Sequence, residues 1–365
     1  MTGSDRIMKH YNIPIFIPHL GCPYDCIYCD QKKIAAQQEI PSCTQIANTV
    51  EQHLETIPAG AVVEVAFFGG SFTAVDKLQQ EQFLGSVQSY LHSGSISGIR
   101  ISTRPDCINE SVLDHLEYYG VKVIELGVQS LHDEVLHASG RAYKAEDVYA
   151  SCRLIRERRF ELGVQLMIGL PGDSYSRTME SARRVLDLKA QTVRIYPTLV
   201  IGGTALEGMW KSGDYEPLGL EEAVSTCRDM FLLFQKEELR VIRMGLYPGE
   251  ELLREGIVRA GPFHPSFGEL VEQDIFKAQS FCAIKQYYEQ YGYRADIKLH
   301  VNNQDLSKMI GRHRKNLQEL KQELAIFLIQ FQSHRSLHRD WVGVSRADQE
   351  QPELILSRRQ YIDSL

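Results

Sequence analysis

The chain has 365 residues, of which 43% are hydrophobic and 24% charged, and its formal net charge is −7. That length supports one large core and a smaller second domain, and the composition is that of a globular protein. No apolar run approaches a membrane span and no secretory signal pattern opens the chain, so the expected compartment is the cytoplasm with no membrane contact; the acidic balance excludes a uniformly basic nucleic-acid coat.

The first predicted element is an apolar strand at Ile13–Ile17, followed by Cys22, Cys26 and Cys29 at C-x3-C-x2-C spacing. Three thiols within eight residues suit a soft metal centre, and thiolates select iron–sulfur clusters, zinc or copper(I). No fourth cysteine stands in register, since Cys43 lies fourteen residues beyond Cys29. The loop therefore reads as a cubane held at three irons, with Tyr28 as an aromatic shield beside the third ligand. A structural zinc, usually built from two ligand pairs, and a disulfide framework are the competing readings.

Beyond the loop, strand patterns at Val62–Phe68, Gly98–Thr103, Val121–Val128, Leu162–Ile168 and Thr192–Pro197 alternate with helical patterns near 44–57, 76–92, 109–119, 145–159 and 175–188. Six such units predict an α/β fold with a parallel sheet, open or closed into a barrel, whose apolar strands are buried on both faces. Chemistry collects at the carboxyl ends of such strands. Those ends carry Phe68-Gly69-Gly70-Ser71, Thr103-Arg104-Pro105-Asp106, Glu125-Leu126-Gly127-Val128-Gln129-Ser130, Met167-Ile168-Gly169-Leu170-Pro171 and Arg194-Ile195-Tyr196-Pro197. Strand alternation puts Glu125, Gly127 and Gln129 on one face, a polar face inside an apolar strand that points to the barrel lumen.

From about residue 243 turn-forming sequences take over, with His264 in Gly261-Pro262-Phe263-His264-Pro265 as a titratable group to test. Residues 294–346 hold ten Lys/Arg against five Asp/Glu. There, Gly311-Arg312-His313-Arg314-Lys315 sits between an extended run at Ile297–Val301 and a helical run at Leu317–Phe331. The placement resembles the backbone-clamping loop of a KH domain, with Arg314 in place of its second glycine. Arg312, Arg314 and Lys315 are the expected RNA contacts.

The cysteine spacing, with an aromatic before the third cysteine, resembles the radical S-adenosylmethionine (SAM) superfamily. The Thr103–Asp106, Glu125–Ser130 and Arg194–Gly213 stretches are similar to the radical SAM domain of the Elongator catalytic subunit family, and the resemblance covers roughly residues 11–276. It implies a partial TIM-like six-unit βα barrel over residues 1–243, a C-terminal extension over 244–292, and a smaller basic α+β domain, KH-like, over 293–365.

The same resemblance implies a [4Fe-4S] cluster on Cys22, Cys26 and Cys29, and SAM chelating the open iron. Gly69 and Gly70 are the backbone segment for the SAM amino group; that segment often ends in Glu, and Ser71 stands there instead. Arg104 and Arg141 are implied carboxylate partners, Glu125 and Gln129 line the lumen, and Gly169 lies on the adenine side. Tyr196 is implied near adenine or substrate, completing a catalytic set of Tyr28, Glu125, Gln129 and Tyr196.

An electron donor such as flavodoxin or ferredoxin is expected. Reductive cleavage to a 5′-deoxyadenosyl radical would then act on RNA, with tRNA as the leading substrate. The length is expected to leave no room for the acetyltransferase domain that Elongator catalytic subunits carry. Alternatives are a coproporphyrinogen-oxidase-like enzyme and a non-catalytic RNA-binding protein with a structural metal centre.

Overall fold

The computed structural model describes residues 9–17, 22, 26–30, 39–292 and 296–365. Gly21 and the 23–25 stretch of the cysteine motif lie outside the described residues. Two compact units emerge. One comprises the chain up to Gly219 together with Leu239–Phe263, and the other comprises Leu220–Glu238 together with His264–Leu365.

The first unit is built on β1 (His10–Ile17), β2 (Val62–Gly69), β3 (Gly98–Thr103), β4 (Val121–Gln129), β5 (Glu161–Ile168) and β6 (Thr192–Pro197). After the short β7 (Val200–Ile201) come β8 (Arg240–Met244) and β9 (Val258–Ala260), the last antiparallel to β7, and the large sheet runs in the order β1-β2-β3-β4-β5-β6-β8. Every neighbouring pair is parallel. β1 and β8 are its edges, so it curls as an incomplete barrel. Six strands match the predicted segments. The seventh, Arg240-Val241-Ile242-Arg243-Met244, carries two arginines and no fully buried residue, which is why its pattern does not stand out.

The crossover helices are set locally. Ser42 and Gln45 form a capping box ahead of Cys43–Thr56, with the Gln45 N–H donating to Ser42 Oγ at 3.3 Å and the Ser42 N–H donating to Gln45 Oε1 at 2.8 Å. Asn109 caps Glu110–Tyr118 and Ser174 caps Tyr175–Asp187 through their side-chain oxygens. The central strands bury Val65, Ile99, Ile101, Leu126 and Val128 completely, as strands covered on both faces require. At the mouth, Gly69 takes φ +114, and a Cβ there would stand 2.6 Å from the Ile17 carbonyl oxygen. The same carbonyl accepts the Gly70 N–H at 2.9 Å, so the ends of β1 and β2 meet where the cysteine loop begins.

The second unit has a four-stranded sheet in the order β11 (Ile329–His334), β10 (Ile297–Asn302), β12 (Val342–Arg346), β13 (Leu354–Leu356). β10 and β11 run parallel, and β12 lies antiparallel to β10. Helices Leu220–Lys236 and Phe267–Tyr291 belong to this unit, joined by the Arg228–Asp274 ion pair at 2.8 Å. The helix predicted through Phe331 stops at Leu324. Ala325 takes φ +52 there, and Ile329–His334 becomes β11.

Candidate functional site

The cysteine loop leaves the carboxyl end of β1, and its second half is fixed to the rest of the unit. The Ile27 N–H donates to the Ser139 carbonyl at 3.3 Å, the Leu206 N–H to the Ile27 carbonyl at 2.8 Å, and the Cys29 N–H to the Cys26 carbonyl at 3.0 Å. Tyr28 is 8% exposed and packs with Val135, Leu170, Val200 and Leu206, while Cys26, Ile27 and Cys29 lean on the same cluster. All three motif cysteines are half-buried, and no cysteine of the chain is in a disulfide.

Two arginines approach this loop. Arg104 Nη1 lies 3.9 Å from Cys26 Sγ, and its guanidinium pairs with Asp106 at 2.8–2.9 Å. Arg141 donates to Tyr28 Oη from Nη2 at 2.7 Å and from Nε at 3.2 Å. Both guanidiniums face the Tyr143 ring, at 5.4 and 5.5 Å from its centroid. Tyr143 itself donates to the Gly127 carbonyl at 2.6 Å. Burial pushes the Tyr143 phenol up to about 12, and burial likewise raises Tyr28 well above its ordinary value. Burial works to lower Arg141, yet Tyr143, Tyr28 and Cys26 outweigh it and hold the guanidinium firmly charged.

Cys22 sits against the Ser71 main-chain N–H. Burial raises its thiol pKa against the pull of that N–H and of the two arginines. Ser71 is itself buried, its Oγ 2.9 Å from Thr103 Oγ1 and accepting the Arg104 N–H at 3.3 Å. The turns after β2 and β3 are therefore laced together under the cysteine loop.

Below the mouth lies a buried ionic network. Glu125 is 5% exposed, and its carboxylate accepts Arg100 Nη1 at 2.8 Å, Arg194 Nε at 2.8 Å and Arg194 Nη2 at 3.0 Å. Arg100 also pairs with Glu64 at 2.9 Å. Burial alone would lower Arg194, but Glu125 and Tyr196 raise it above its usual range. Gly163 makes room for this carboxylate, because a Cβ there would stand 2.9 Å from Glu125 Cγ and 3.0 Å from Thr192 Oγ1. Gln129, at φ +65 where β4 bulges against β5, accepts from Gln165 Nε2 at 3.0 Å. The Tyr196 hydroxyl lies 3.5 Å from Arg194 Nη1. The Gly169 carbonyl accepts from Tyr215 Oη at 2.6 Å, and its N–H donates to Asp173.

The structure thus brings Cys22, Cys26, Tyr28, Ser71, Arg104 and Arg141 together at the mouth, with Glu125, Gln129 and Tyr196 beneath. It adds Arg100, Arg194, Glu64, Asp106 and Tyr143, which the sequence reading missed. A signal was present for the first three: a charged residue inside an apolar strand, as in Ile99-Arg100-Ile101, needs a buried counter-charge.

In the second unit, Gly311 (φ +75), His313 (φ +51) and Arg314 (φ +63) form a left-handed turn before helix Lys315–Leu324. Arg314 adopts the conformation a glycine would supply. Asn316 Nδ2 locks the turn by donating to the carbonyls of Gln273 (2.8 Å), Lys308 (3.2 Å) and Met309 (3.2 Å). Arg312 Nη1 stands 2.7 Å from His264 Nε2, and Lys315 pairs with Glu221 and Glu319. Arg314 is exposed and has no side-chain hydrogen bond or ion pair among the described residues.

The mouth carries the soft donors that a thiolate-held cluster needs. Its donor set is three half-buried thiols in one loop beside two guanidiniums, and positive charge near sulfur favours the thiolate that iron binds. Among the described residues no three His, Cys, Asp or Glu side chains converge as a single-ion site would require. The residues fit a cluster. Also among the described residues, no helix is long and apolar enough to cross a membrane.

Residues 16–185 match the Radical SAM superfamily, and residues 190–277 match the Radical_SAM C-terminal domain. An uncharacterized protein of Methanocaldococcus jannaschii is 30% identical over 219 residues, 59% of this chain and 64% of that protein. The tRNA uridine(34) acetyltransferase of the same organism is 29% identical over 182 residues, 44% of this chain and 34% of the enzyme. The chain therefore spans less than two thirds of the length of these curated relatives. The solved structure of Methanocaldococcus infernus Elp3 with an N-terminal deletion superposes with a TM-score of 0.59 at 22% identity, covering 80% of this chain and 71% of that one. With a curled parallel sheet, a three-cysteine loop at its mouth and both domain matches in sequence, the chain belongs to the radical SAM superfamily, whose members bind a [4Fe-4S] cluster and SAM, and its radical SAM domain is homologous to that of the tRNA uridine(34) acetyltransferases.

Proposed function

We propose that the chain is a radical SAM enzyme that modifies RNA, with tRNA as its substrate. The observation that carries the chemical half is the cysteine loop beside two guanidiniums, with Arg104 Nη1 3.9 Å from Cys26 Sγ and Arg141 bonded to Tyr28 between Cys26 and Cys29. When bound, the cluster and SAM supply a one-electron cleavage that yields a hydrogen-abstracting radical. The protein's own part is to hold, orient and screen. Cys22, Cys26 and Cys29 would ligate three irons, with an electron donor such as flavodoxin or ferredoxin supplying the electron.

Arg141 fixes the Tyr28 ring against the cysteine loop, where it excludes water. The positive charge of Arg104 and Arg141 favours a ligand carrying a carboxylate, and Gly69 and Gly70 leave main-chain groups open to it. Glu125 anchors Arg100 and Arg194 as a rigid floor, and Gln129 and Tyr196 present polar groups above it.

Two facts support RNA as substrate. Several relatives are named tRNA uridine(34) acetyltransferases, and the second unit displays a basic left-handed turn with Arg314 exposed. A turn of this kind suits a phosphate backbone.

Anaerobic reconstitution tests the chemical half. The wild type is expected to take up about four irons per chain, to change its reduced-cluster paramagnetic signal when SAM is added, and to release 5′-deoxyadenosine with dithionite. The Cys22→Ala/Cys26→Ala/Cys29→Ala variant is expected to bind no cluster. Stoichiometric zinc without SAM cleavage would refute the reading. For the RNA half, Arg314→Ala is expected to weaken tRNA binding and to reduce the salt slope by about 1; an unchanged slope removes RNA from the proposal.

A further inference from the structure

β8 is the last strand of the large sheet, and its register with β6 fixes which way its side chains point. Arg243 lies opposite Arg194, so both stand on the sheet face where Arg194 meets Glu125, the lumen of the incomplete barrel. The other lumen guanidiniums are matched, Arg194 by Glu125 and Arg100 by Glu64 and Glu125. Arg243 is half-buried and has no carboxylate partner among the described residues. Its Nε donates to the Gly245 carbonyl at 3.1 Å, and its guanidinium lies over the Tyr247 ring at 5.3 Å from the centroid. Both contacts lie toward the carboxyl end of β8. That end belongs to the rim that carries the cysteine loop, because the strands run parallel. Tyr247 is 67% exposed, so its ring is largely uncovered. Tyr196, two residues beyond Arg194, shares the lumen face, and the Phe68 ring lies 5.3 Å from the Arg194 guanidinium.

A half-buried guanidinium with no acid to meet it calls for an anion, and an uncovered ring beside it calls for a flat partner. A nucleotide supplies both. Its phosphate accepts the guanidinium fork through paired hydrogen bonds, and its base has a face to lay on the ring. A porphyrin bearing several carboxylates fits less well, because it needs several cations and Arg100 and Arg194 are already held by glutamates. We propose that Arg243 and Tyr247 form a nucleotide subsite at the β8 side of the mouth, with the phosphate on Arg243 and the base on Tyr247. The proposal rests on the RNA reading above and narrows it. A base stacked within a duplex cannot lay its face on Tyr247, so the nucleotide taken is an unpaired one.

Calorimetric titration of the full chain with uridine 5′-monophosphate and with uridine, at low salt, tests this without measuring turnover. Uridine probes lack adenine, so they do not report on a site for SAM. Wild type is expected to bind the monophosphate roughly tenfold or more tightly than the nucleoside. Arg243→Gln is expected to bring the monophosphate down to the affinity of uridine and to leave uridine itself unchanged. Tyr247→Leu is expected to weaken both probes alike, by roughly fivefold or more, because it removes stacking and spares the phosphate contact.

Equal affinity of wild type for the two probes, or no binding of the monophosphate, overturns the proposal, and this comparison decides even if a variant folds poorly. Inorganic phosphate binding as tightly as the monophosphate overturns it as well, since the ring then contributes nothing. Coproporphyrin III binding more tightly than the monophosphate, and losing that affinity in Arg243→Gln, assigns the arginine to a carboxylate and overturns it too. In each of these cases, tRNA binding with a salt slope that depends on Arg314 leaves the RNA reading intact. A chain that binds no tRNA removes both.

Discussion

Glu125 shows how much of this site is held by one side chain. Its carboxylate joins two guanidiniums inside the sheet, and such a buried arrangement is stable only while every charge is matched. Glu125→Gln is expected to cost about 3–5 kcal/mol in urea unfolding, because Arg194 is left without a full counter-charge. Replacing both partners, as in Glu125→Leu/Arg194→Leu, is expected to recover a good part of that loss. An additive penalty in the double variant would mean that the pair is not energetically coupled. The network was only half legible in the sequence. A lone acid or arginine in an apolar strand announces a buried partner, but which one it meets depends on strand register. Arg194, for example, lies opposite Gln165 on β5, yet its ion pair is with Glu125 on β4. The cysteine triplet was legible because its three thiols lie within eight residues, whereas Tyr143 reaches Arg104 and Arg141 only through the fold.

At the scale of single elements, the junction of β1 and β2 is the tightest constraint on the mouth. Gly69→Ala would force a Cβ into the Ile17 carbonyl at a positive φ, and a loss of roughly 1–3 kcal/mol is expected for the strained backbone before the clash is counted. Because the cysteine loop starts there, the variant is also expected to take up iron more slowly; unchanged melting and iron uptake would show that the junction yields easily. In the smaller sheet, His300 is fully buried between His334 Nε2 at 2.7 Å and Ser345 Oγ at 2.8 Å, with Lys298 on its own strand.

Burial, then His334 and Lys298, lower its pKa from 6.5 to about 4. The unfolded chain therefore binds the extra proton first, so this imidazole leaves stability untouched above pH 6.5 and erodes it as pH falls toward about 4. The urea midpoint of wild type is expected to drop over that window more steeply than that of His300→Gln; parallel curves would assign the loss elsewhere. The strands of the large sheet were readable from apolar runs except β8, where arginines break the pattern; in the smaller sheet β10 was readable, but the start of β11 reads as helix.

For the whole molecule, the decisive feature is that the units interleave along the chain. Helix Leu220–Lys236 packs in the second unit through buried Val224, Cys227, Met230 and Phe234, after which the chain returns to the first unit to add β8 as the last strand of the large sheet. A chain ended after Phe263 is expected to elute as soluble aggregates in size-exclusion chromatography, since that helix loses Phe267–Tyr291, whereas a clean monomer would show that the helix tolerates exposure. No single stretch cut from this gene therefore encodes either half in full. A chimaera meant to lend the Arg314-bearing turn to another catalyst has to carry the donor's helix at 220–236 inside the recipient, between its sixth and last strands. That topology ties the inheritance of the two parts together, and a lineage can refine their partnership more readily than exchange one of them.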